Sequence, residues 1–216
     1  MKKQLKGGGV IGITGFARTG KDTLCGALLE RANEASRRVA LADELKREMA
    51  PIIKNYFNID AFTDDDKEKS LIRPLMVAWG GIRREETQGT HWTGLVTEKV
   101  KDIVACGGWA IITDIRYANP KFKNDEVNWL KDNGGKLIHL KKYNLTAYPP
   151  TSQGGKPIIR RCYTKAPNEQ EKTNDKILIG KADFKIEWGE VGNSLSKLDK
   201  YVDDLVDYLN ETQGIK

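Results

Sequence analysis

Residues 15–21, GFARTGK, follow the pattern G-x-x-x-x-G-K. Glycines in this pattern let successive backbone N–H groups turn towards one point, and the helix that follows presents its positive end to an anion. The lysine adds a positive charge that reaches the β and γ phosphates of a nucleotide. The sequence therefore predicts a phosphate-binding loop for a nucleotide, formed by Gly15, Arg18, Thr19, Gly20, Lys21, Asp22 and Thr23.

Asp22 stands where the common form of this loop has a serine or threonine, whose hydroxyl binds Mg²⁺. A carboxylate beside a triphosphate repels it unless a cation lies between them. We therefore expect Mg²⁺ to be held near Asp22 largely through water. Thr23 is expected to donate its hydroxyl to the α-phosphate.

The segment TDIR, residues 113–116, offers a second pair of charged groups. Asp114 ends a predicted buried strand, at the edge where ligands of open α/β sheets bind, so it is a candidate to hold a magnesium-bound water. Arg116 lies on the same side of an extended chain and is suited to bridge donor and acceptor phosphates. With Lys21, this pair predicts phosphoryl transfer, in which clamping two anions matters more than a general base.

The elements that must position these residues alternate along the chain. Apolar runs at VIGITG, RVALA, WAIITD, KLIHLK and DFKIEW predict strands, and helical patterns separate them. This alternation predicts an α/β fold of three layers, with helices on both faces of a mostly five-stranded parallel sheet. Pro51 is expected to kink or end the second helix, and Ser194 is expected to cap the last one.

Residues 143–175 break this alternation with four prolines and a Gly-Gly pair. We interpret them as a mobile lid or inserted loop on a single domain, residues 1–216. Arg160 and Arg161 are candidates to close on the transferring phosphoryl group, and a solvated basic loop is the alternative. Helices within residues 43–106 are expected to form one wall of the cleft.

Composition and charge narrow the class of protein. No run approaches the roughly 18 apolar residues of a membrane span, and the N-terminal segment MKKQLKGGG lacks the apolar stretch of a secretory signal. We therefore expect a cytoplasmic protein without a membrane partner, whose three cysteines are reduced. The net charge is +6, and residues 141–176 hold eight basic and three acidic side chains. This concentration favours a local anion site over a broad nucleic-acid surface.

The segments GFARTGKDT, LADELK, RPLMVAWGG followed by HW, TDIR, and DEVNWLKDNGGKLIHL occur in this order. In their order they resemble the deoxynucleoside monophosphate kinases of bacteriophages, over nearly the whole chain. The resemblance implies a P-loop kinase fold with a mobile lid. It also implies ATP and Mg²⁺ as cofactors, a deoxynucleoside monophosphate as acceptor, and the cytoplasm of an infected host as the compartment.

The resemblance also implies roles for individual acceptor-binding residues. Asp43 and Lys46 match the start of the helix that embraces the monophosphate, and a helix cap with a solvated lysine is the alternative. Arg73 matches an arginine on the acceptor phosphate. Trp92 is a candidate to stack on the acceptor base, although its place on an apolar stripe also fits core packing. Glu126 matches the family's glutamate after the D-x-R pair, across a longer spacer.

Other functions leave different signatures in a sequence. The guanine-binding tetrad N-K-x-D is absent from the sequence, which disfavours a GTPase switch. A kinase for another acceptor, of the phosphomevalonate or dephospho-coenzyme A type, would share this layout. A basic nucleic-acid-binding protein is the alternative from another class, and stable binding of nucleic acid is not expected. A homodimer is compatible with the sequence.

Overall fold

The computed structural model describes residues 2–118, 121–122, 124–148, 158–189 and 198–213. Its strands are β1 (Gly9–Thr14), β2 (Arg37–Val39), β3 (Trp109–Ile112), β4 (Lys136–Tyr148), β5 (Ile158–Tyr163) and β6 (Phe184–Gly189). Its helices are α1 (Lys21–Leu29), α2 (Leu41–Phe57), α3 (Asp66–Glu86), α4 (His91–Ala105), α5 (Glu126–Asp132), α6 (Glu169–Lys181) and α7 (Asp199–Gln213). No helix of these described ranges is long and apolar enough to cross a membrane.

The sheet is mixed and mostly parallel, which confirms the predicted α/β class. Five strands run parallel in the order β2-β3-β1-β4-β6. The sixth strand, β5, pairs antiparallel with the end of β4, so that Tyr143 faces Tyr163 and Tyr148 faces Ile158. Because the carboxyl ends of parallel strands meet at one edge, the segments that follow β1 and β3 lie close together there.

Helices cover both faces of the sheet, as the three-layer prediction requires. On one face, Ile11 and Ile13 of β1 pack with α1 and α7 in a cluster that includes Leu28 and Leu205. On the other face, Val10 belongs to a cluster built on α4, α5 and α6. Successive residues of a strand point to opposite faces, so one apolar strand serves both layers. The burial of these side chains fixes the sheet between the helices.

Helix α2 does not end at Pro51, which corrects one of the two outcomes predicted for this proline, a kink or an end. Met49 and Ile53, on either side of the proline, are buried in a third cluster with Ile72 of α3. Pro51 itself is exposed, and its ring removes one backbone hydrogen bond from the helix. The apolar contacts of its neighbours keep the helix continuous to Phe57.

The segment predicted as an inserted loop contains regular structure. Strand β4 continues to Tyr148, β5 returns beside it, and α6 begins at Glu169. The side chain of Asn168 accepts a hydrogen bond from the Glu171 amide (2.8 Å) and so caps α6. Residues 149–157 of the expected lid, with the Gly-Gly pair, lie outside the described residues, as does Ser194.

Candidate functional site

The loop between β1 and α1 has a backbone that only glycine can follow at two positions. Gly15 has φ 138°, and a Cβ atom there would lie 2.2 Å from the carbonyl oxygen of Leu140. Gly20 has φ 95°, and its Cβ would lie 2.8 Å from the indole of Trp188. That indole also donates a hydrogen bond to the Thr19 carbonyl (2.9 Å). The sheet and Trp188 therefore hold the loop in a tight curve.

The N–H groups at the end of this loop are those that the start of an α-helix leaves without an intrahelical partner. Among the described residues, no acceptor bonds the amides of Gly20, Lys21, Asp22 and Thr23. The side chain of Thr19, in contrast, already has a partner in the protein. Its hydroxyl is buried and donates to the Phe16 carbonyl (2.8 Å). Unpaired amides at a helix N-terminus form an anion-binding site. Arg18 is exposed beside them, with a positive φ of 66°.

The side chain of Lys21 folds back over the loop. Its ammonium donates to the carbonyl oxygens of Gly15 (2.9 Å) and Phe16 (2.8 Å). Burial, together with the nearby charge of Arg116, lowers the pKa of Lys21 to about 8. Because a phosphate would bring compensating negative charge, the ammonium is suited to an anion in this loop.

Asp22, in the first turn of α1, and Asp43, in the first turn of α2, both form an ion pair with Arg38. The guanidinium of Arg38 contacts a carboxylate oxygen of Asp22 (3.2 Å) and one of Asp43 (3.0 Å). The Asp22 side chain is 79% exposed, so water and ions reach it freely. Asp43 is thereby tied to Arg38 and does not line the cavity described next, although the sequence resemblance places it at the acceptor.

A cavity of about 350 Å³ lies between α2, α3, α4 and the segment that follows β3. Its walls are largely apolar, with side chains such as Leu45, Ile72 and Met76. Five basic side chains and two carboxylates of the described residues also line it, and the basic ones are Lys46, Lys69, Arg73, Arg84 and Arg116. The structure thus brings together six of the residues predicted from the sequence: Lys46, Arg73, Trp92, Asp114, Arg116 and Glu126.

Asp114 joins the end of β3 to the start of α2. Its two carboxylate oxygens accept hydrogen bonds from the amides of Leu41 (3.0 Å) and Ala42 (2.7 Å). Burial raises the pKa of Asp114, and the two amide bonds oppose that shift. Asp114 therefore caps α2, a role that the sequence analysis did not assign, and it still borders the cavity.

Glu126 lies in the same cavity in spite of the longer spacer before it. One of its oxygens accepts from the amides of Arg116 (2.7 Å) and Tyr117 (3.0 Å), and the other accepts from the Arg84 guanidinium (3.1 Å). Burial raises the pKa of Glu126 to about 7, while the charge of Arg84 opposes the shift. Glu126 thus contacts the turn that carries Arg116.

Two residues of this network were missed by sequence reasoning. Arg84 has a side chain only 12% exposed, and its guanidinium stacks on the ring of Tyr117. Tyr117 directly follows the D-x-R pair, so its position was a usable signal. Arg84 stands near a helix end among other arginines, and only the fold shows that it points towards Glu126.

Arg116 lines the cavity, and its charge also acts on the loop. Its side chain is 43% exposed and forms an ion pair with Glu171 of α6 (3.2 Å). The charges of both residues act on the pKa of Lys21, which places all three side chains in one electrostatic environment. The arginine predicted to bridge two phosphates therefore acts electrostatically on the predicted phosphate-binding lysine.

Of the other residues predicted to bind substrate, Trp92 and Arg73 line the cavity, and the two arginines of β5 do not. Trp92 is 5% exposed and donates to the Gly80 carbonyl (3.2 Å), so it packs in the core while it lines the cavity wall. Arg73 is exposed on α3. Arg160 and Arg161 lie on β5, stacked over Tyr148 and Tyr143 respectively, and neither lines the cavity.

Within the described residues, no group of three or more His, Cys, Asp or Glu side chains could hold a metal ion. Asp22 and Asp114 are separate carboxylates near the loop, and this fits the one or two carboxylates that usually assist Mg²⁺ at a nucleotide. The chain matches no protein-family model, and a search of the curated proteins found no significant match.

Proposed function

We propose that this chain is a P-loop kinase that transfers the γ-phosphoryl group of ATP to a deoxynucleoside monophosphate. The single observation that carries the proposal is that Arg116 lines the cavity while its charge also reaches Lys21 of the loop, whose pKa it helps to lower. Such an arrangement suits a reaction that must hold two anions in contact.

The donor site in this proposal is the loop of residues 15–23. Its unpaired amides and the ammonium of Lys21 bind the phosphates, which replace the Gly15 and Phe16 carbonyls as partners of the lysine. Asp22 and Asp114 are the residues that would hold magnesium, which would supply charge neutralisation when bound.

The acceptor site is the cavity. Its apolar walls suit a base, and its excess of basic side chains suits a phosphate. The sequence resemblance supplies the deoxynucleoside monophosphate as the specific acceptor. Arg73 and Lys46 are the groups that neutralise the acceptor phosphate, and Trp92 shapes the wall beside the base.

In the reaction, an oxygen of the acceptor phosphate attacks the γ-phosphorus of ATP. The bond between the γ-phosphorus and the β–γ bridging oxygen breaks, and ADP leaves with that electron pair. In this proposal Arg116 contacts both phosphates and offsets the charge that spreads over the transferring group. Lys21 neutralises the leaving β-phosphate. No general base is needed, since the attacking phosphate is already an anion at neutral pH.

The proposal is tested by incubating the protein with γ-labelled ATP, Mg²⁺ and a panel of acceptors. The panel contains the common deoxynucleoside and ribonucleoside monophosphates, base-modified deoxynucleotides, phosphomevalonate and dephospho-coenzyme A. Labelled diphosphate from at least one deoxynucleoside monophosphate supports the proposal. Transfer only to phosphomevalonate or dephospho-coenzyme A would assign another acceptor. If no member of the whole panel accepted the phosphoryl group, the proposed kinase activity would be refuted.

A further inference from the structure

The turn that carries Arg116 is held by one carboxylate. The amides of Arg116 and Tyr117 both point at the same oxygen of Glu126, at 2.7 Å and 3.0 Å. Two successive N–H groups that converge on one acceptor fix the orientation of two peptide planes. The direction in which the Arg116 side chain leaves the backbone is therefore set by the position of Glu126.

Glu126 is itself held from the opposite side. Its second oxygen accepts from the Arg84 guanidinium (3.1 Å), and that guanidinium stacks on the ring of Tyr117. The contacts form a closed ring that joins α3, the start of α5 and the turn after β3. Because both carboxylate oxygens of Glu126 already have protein partners, the geometry suits a structural support better than a contact to the acceptor.

This arrangement is costly for the fold. Glu126 is 4% exposed, and a buried carboxylate is unfavourable unless charges and hydrogen bonds compensate it. An apolar side chain at this position would avoid that cost but would leave the two amides of the turn without an acceptor. The buried charge therefore coincides with the one turn whose geometry the proposed reaction depends on.

We propose that Glu126 is a positioning residue that fixes Arg116 for phosphoryl transfer, and that Arg84 holds Glu126 in the required orientation. This inference rests on the proposed function, because Arg116 is the residue that contacts the transferring group in that reaction. Without Glu126 the turn relaxes, and the ion pair with Glu171 is free to draw Arg116 away from the phosphates. A misplacement of about 1 Å costs roughly a hundredfold in rate.

A double-mutant cycle separates positioning from direct contact. Glu126→Ala is expected to lower kcat about a hundredfold in the wild-type background, with the acceptor KM little changed. In the Arg116→Ala background the same change is expected to lower kcat less than about threefold, because its target is gone. Glu126→Gln keeps a carbonyl oxygen for the two amides but presents an NH2 donor to the Arg84 guanidinium, so it is expected to recover only part of the loss. Glu98→Ala, on the exposed surface of α4, is the control for a surface carboxylate.

Two results would overturn the inference: an equal loss in both backgrounds, or a rise in the acceptor KM as the main effect of Glu126→Ala. If the alanine variant does not fold, Glu126→Asp replaces it in the cycle, since its shorter side chain withdraws the carboxylate from the amides. If the wild type transfers phosphate to no acceptor, the proposed function fails. The same cycle is then measured by calorimetry as ATP affinity, where non-additive losses support the coupling and additive losses overturn it.

Discussion

The ammonium nitrogen of Lys21 lies 2.9 Å from the carbonyl oxygen of Gly15. The lysine side chain therefore reaches back across the loop to its first residue. The lysine is partly buried, and its pKa is lowered to about 8, mainly by desolvation and then by the charge of Arg116. Its charge is thus present at neutral pH and is lost in mildly alkaline solution. This makes the role of Lys21 accessible to a pH titration.

We predict that kcat/KM for ATP falls as pH rises above about 8. Lys21 is protonated below this pKa and neutral above it, and only the protonated form attracts phosphate. The ratio kcat/KM reports the free enzyme, so initial rates from about pH 6 to 10 reveal the titration. Lys21→Arg is expected to remove the alkaline limb, since its charge persists, and Lys21→Ala to lower turnover at least roughly a hundredfold. A flat profile for the wild type would contradict the assignment.

We predict that Arg116→Ala lowers kcat at least roughly a hundredfold, because it removes charge stabilisation from the transition state. Arg47→Ala is a matched control, since Arg47 lies on the exposed side of α2 and pairs only with Glu44 among the described residues. Steady-state kinetics with saturating ATP and acceptor give both values. Near-normal turnover in Arg116→Ala would show that another group contacts the transferring phosphoryl.

Much of this site could be predicted because its signals are local in the sequence. The strand, glycine loop and lysine are contiguous, and Asp114 and Arg116 directly follow an apolar run. The strand and helix order was predictable for the same reason, since hydrophobic periodicity is read within short windows.

The rest depends on contacts between distant segments. The paired part of β4 and β5, residues 143–148 and 158–163, is largely exposed and pairs residues about 10 to 20 positions apart, so no buried face imposes an apolar alternation on it. The carboxylate of Asp43 forms an ion pair with Arg38. Arg84 forms an ion pair with Glu126, which lies 42 positions further along the chain. Such pairings are decided by the tertiary structure, which a reading of local patterns does not contain.

We predict that Arg73→Ala raises the acceptor KM and leaves the KM for ATP nearly unchanged. Arg73, on α3, lines the cavity. Among the described residues it has no contact with the loop of residues 15–23. Loss of one charge-assisted contact to a phosphate corresponds to roughly a tenfold or larger change in affinity. Varying each substrate at saturation of the other separates the two constants. An effect confined to ATP would place Arg73 at the donor site.

We predict that Arg31→Ala lowers the free energy of unfolding by about 3 kcal/mol without a specific effect on either KM. The Arg31 side chain is fully buried and joins α1 to α7 through Asp199 (2.6 Å) and Asp203 (3.3 Å). Urea denaturation gives the change. Lys101→Ala is the comparison, since its exposed pair with Glu98 is worth at most about 1 kcal/mol. Equal effects of the two substitutions would mean that the buried network contributes little.

The most direct measurement uses a bisubstrate analogue in which adenosine and a deoxynucleoside are joined by five phosphates. Only a molecule that places its phosphates on the loop of residues 15–23 and its second base in the cavity can engage both sites at once. Calorimetry is expected to give a Kd about a hundredfold lower than that of ATP alone, and Lys21→Ala and Arg116→Ala are each expected to abolish the gain. An analogue that binds no more tightly than ATP would contradict the two-site arrangement.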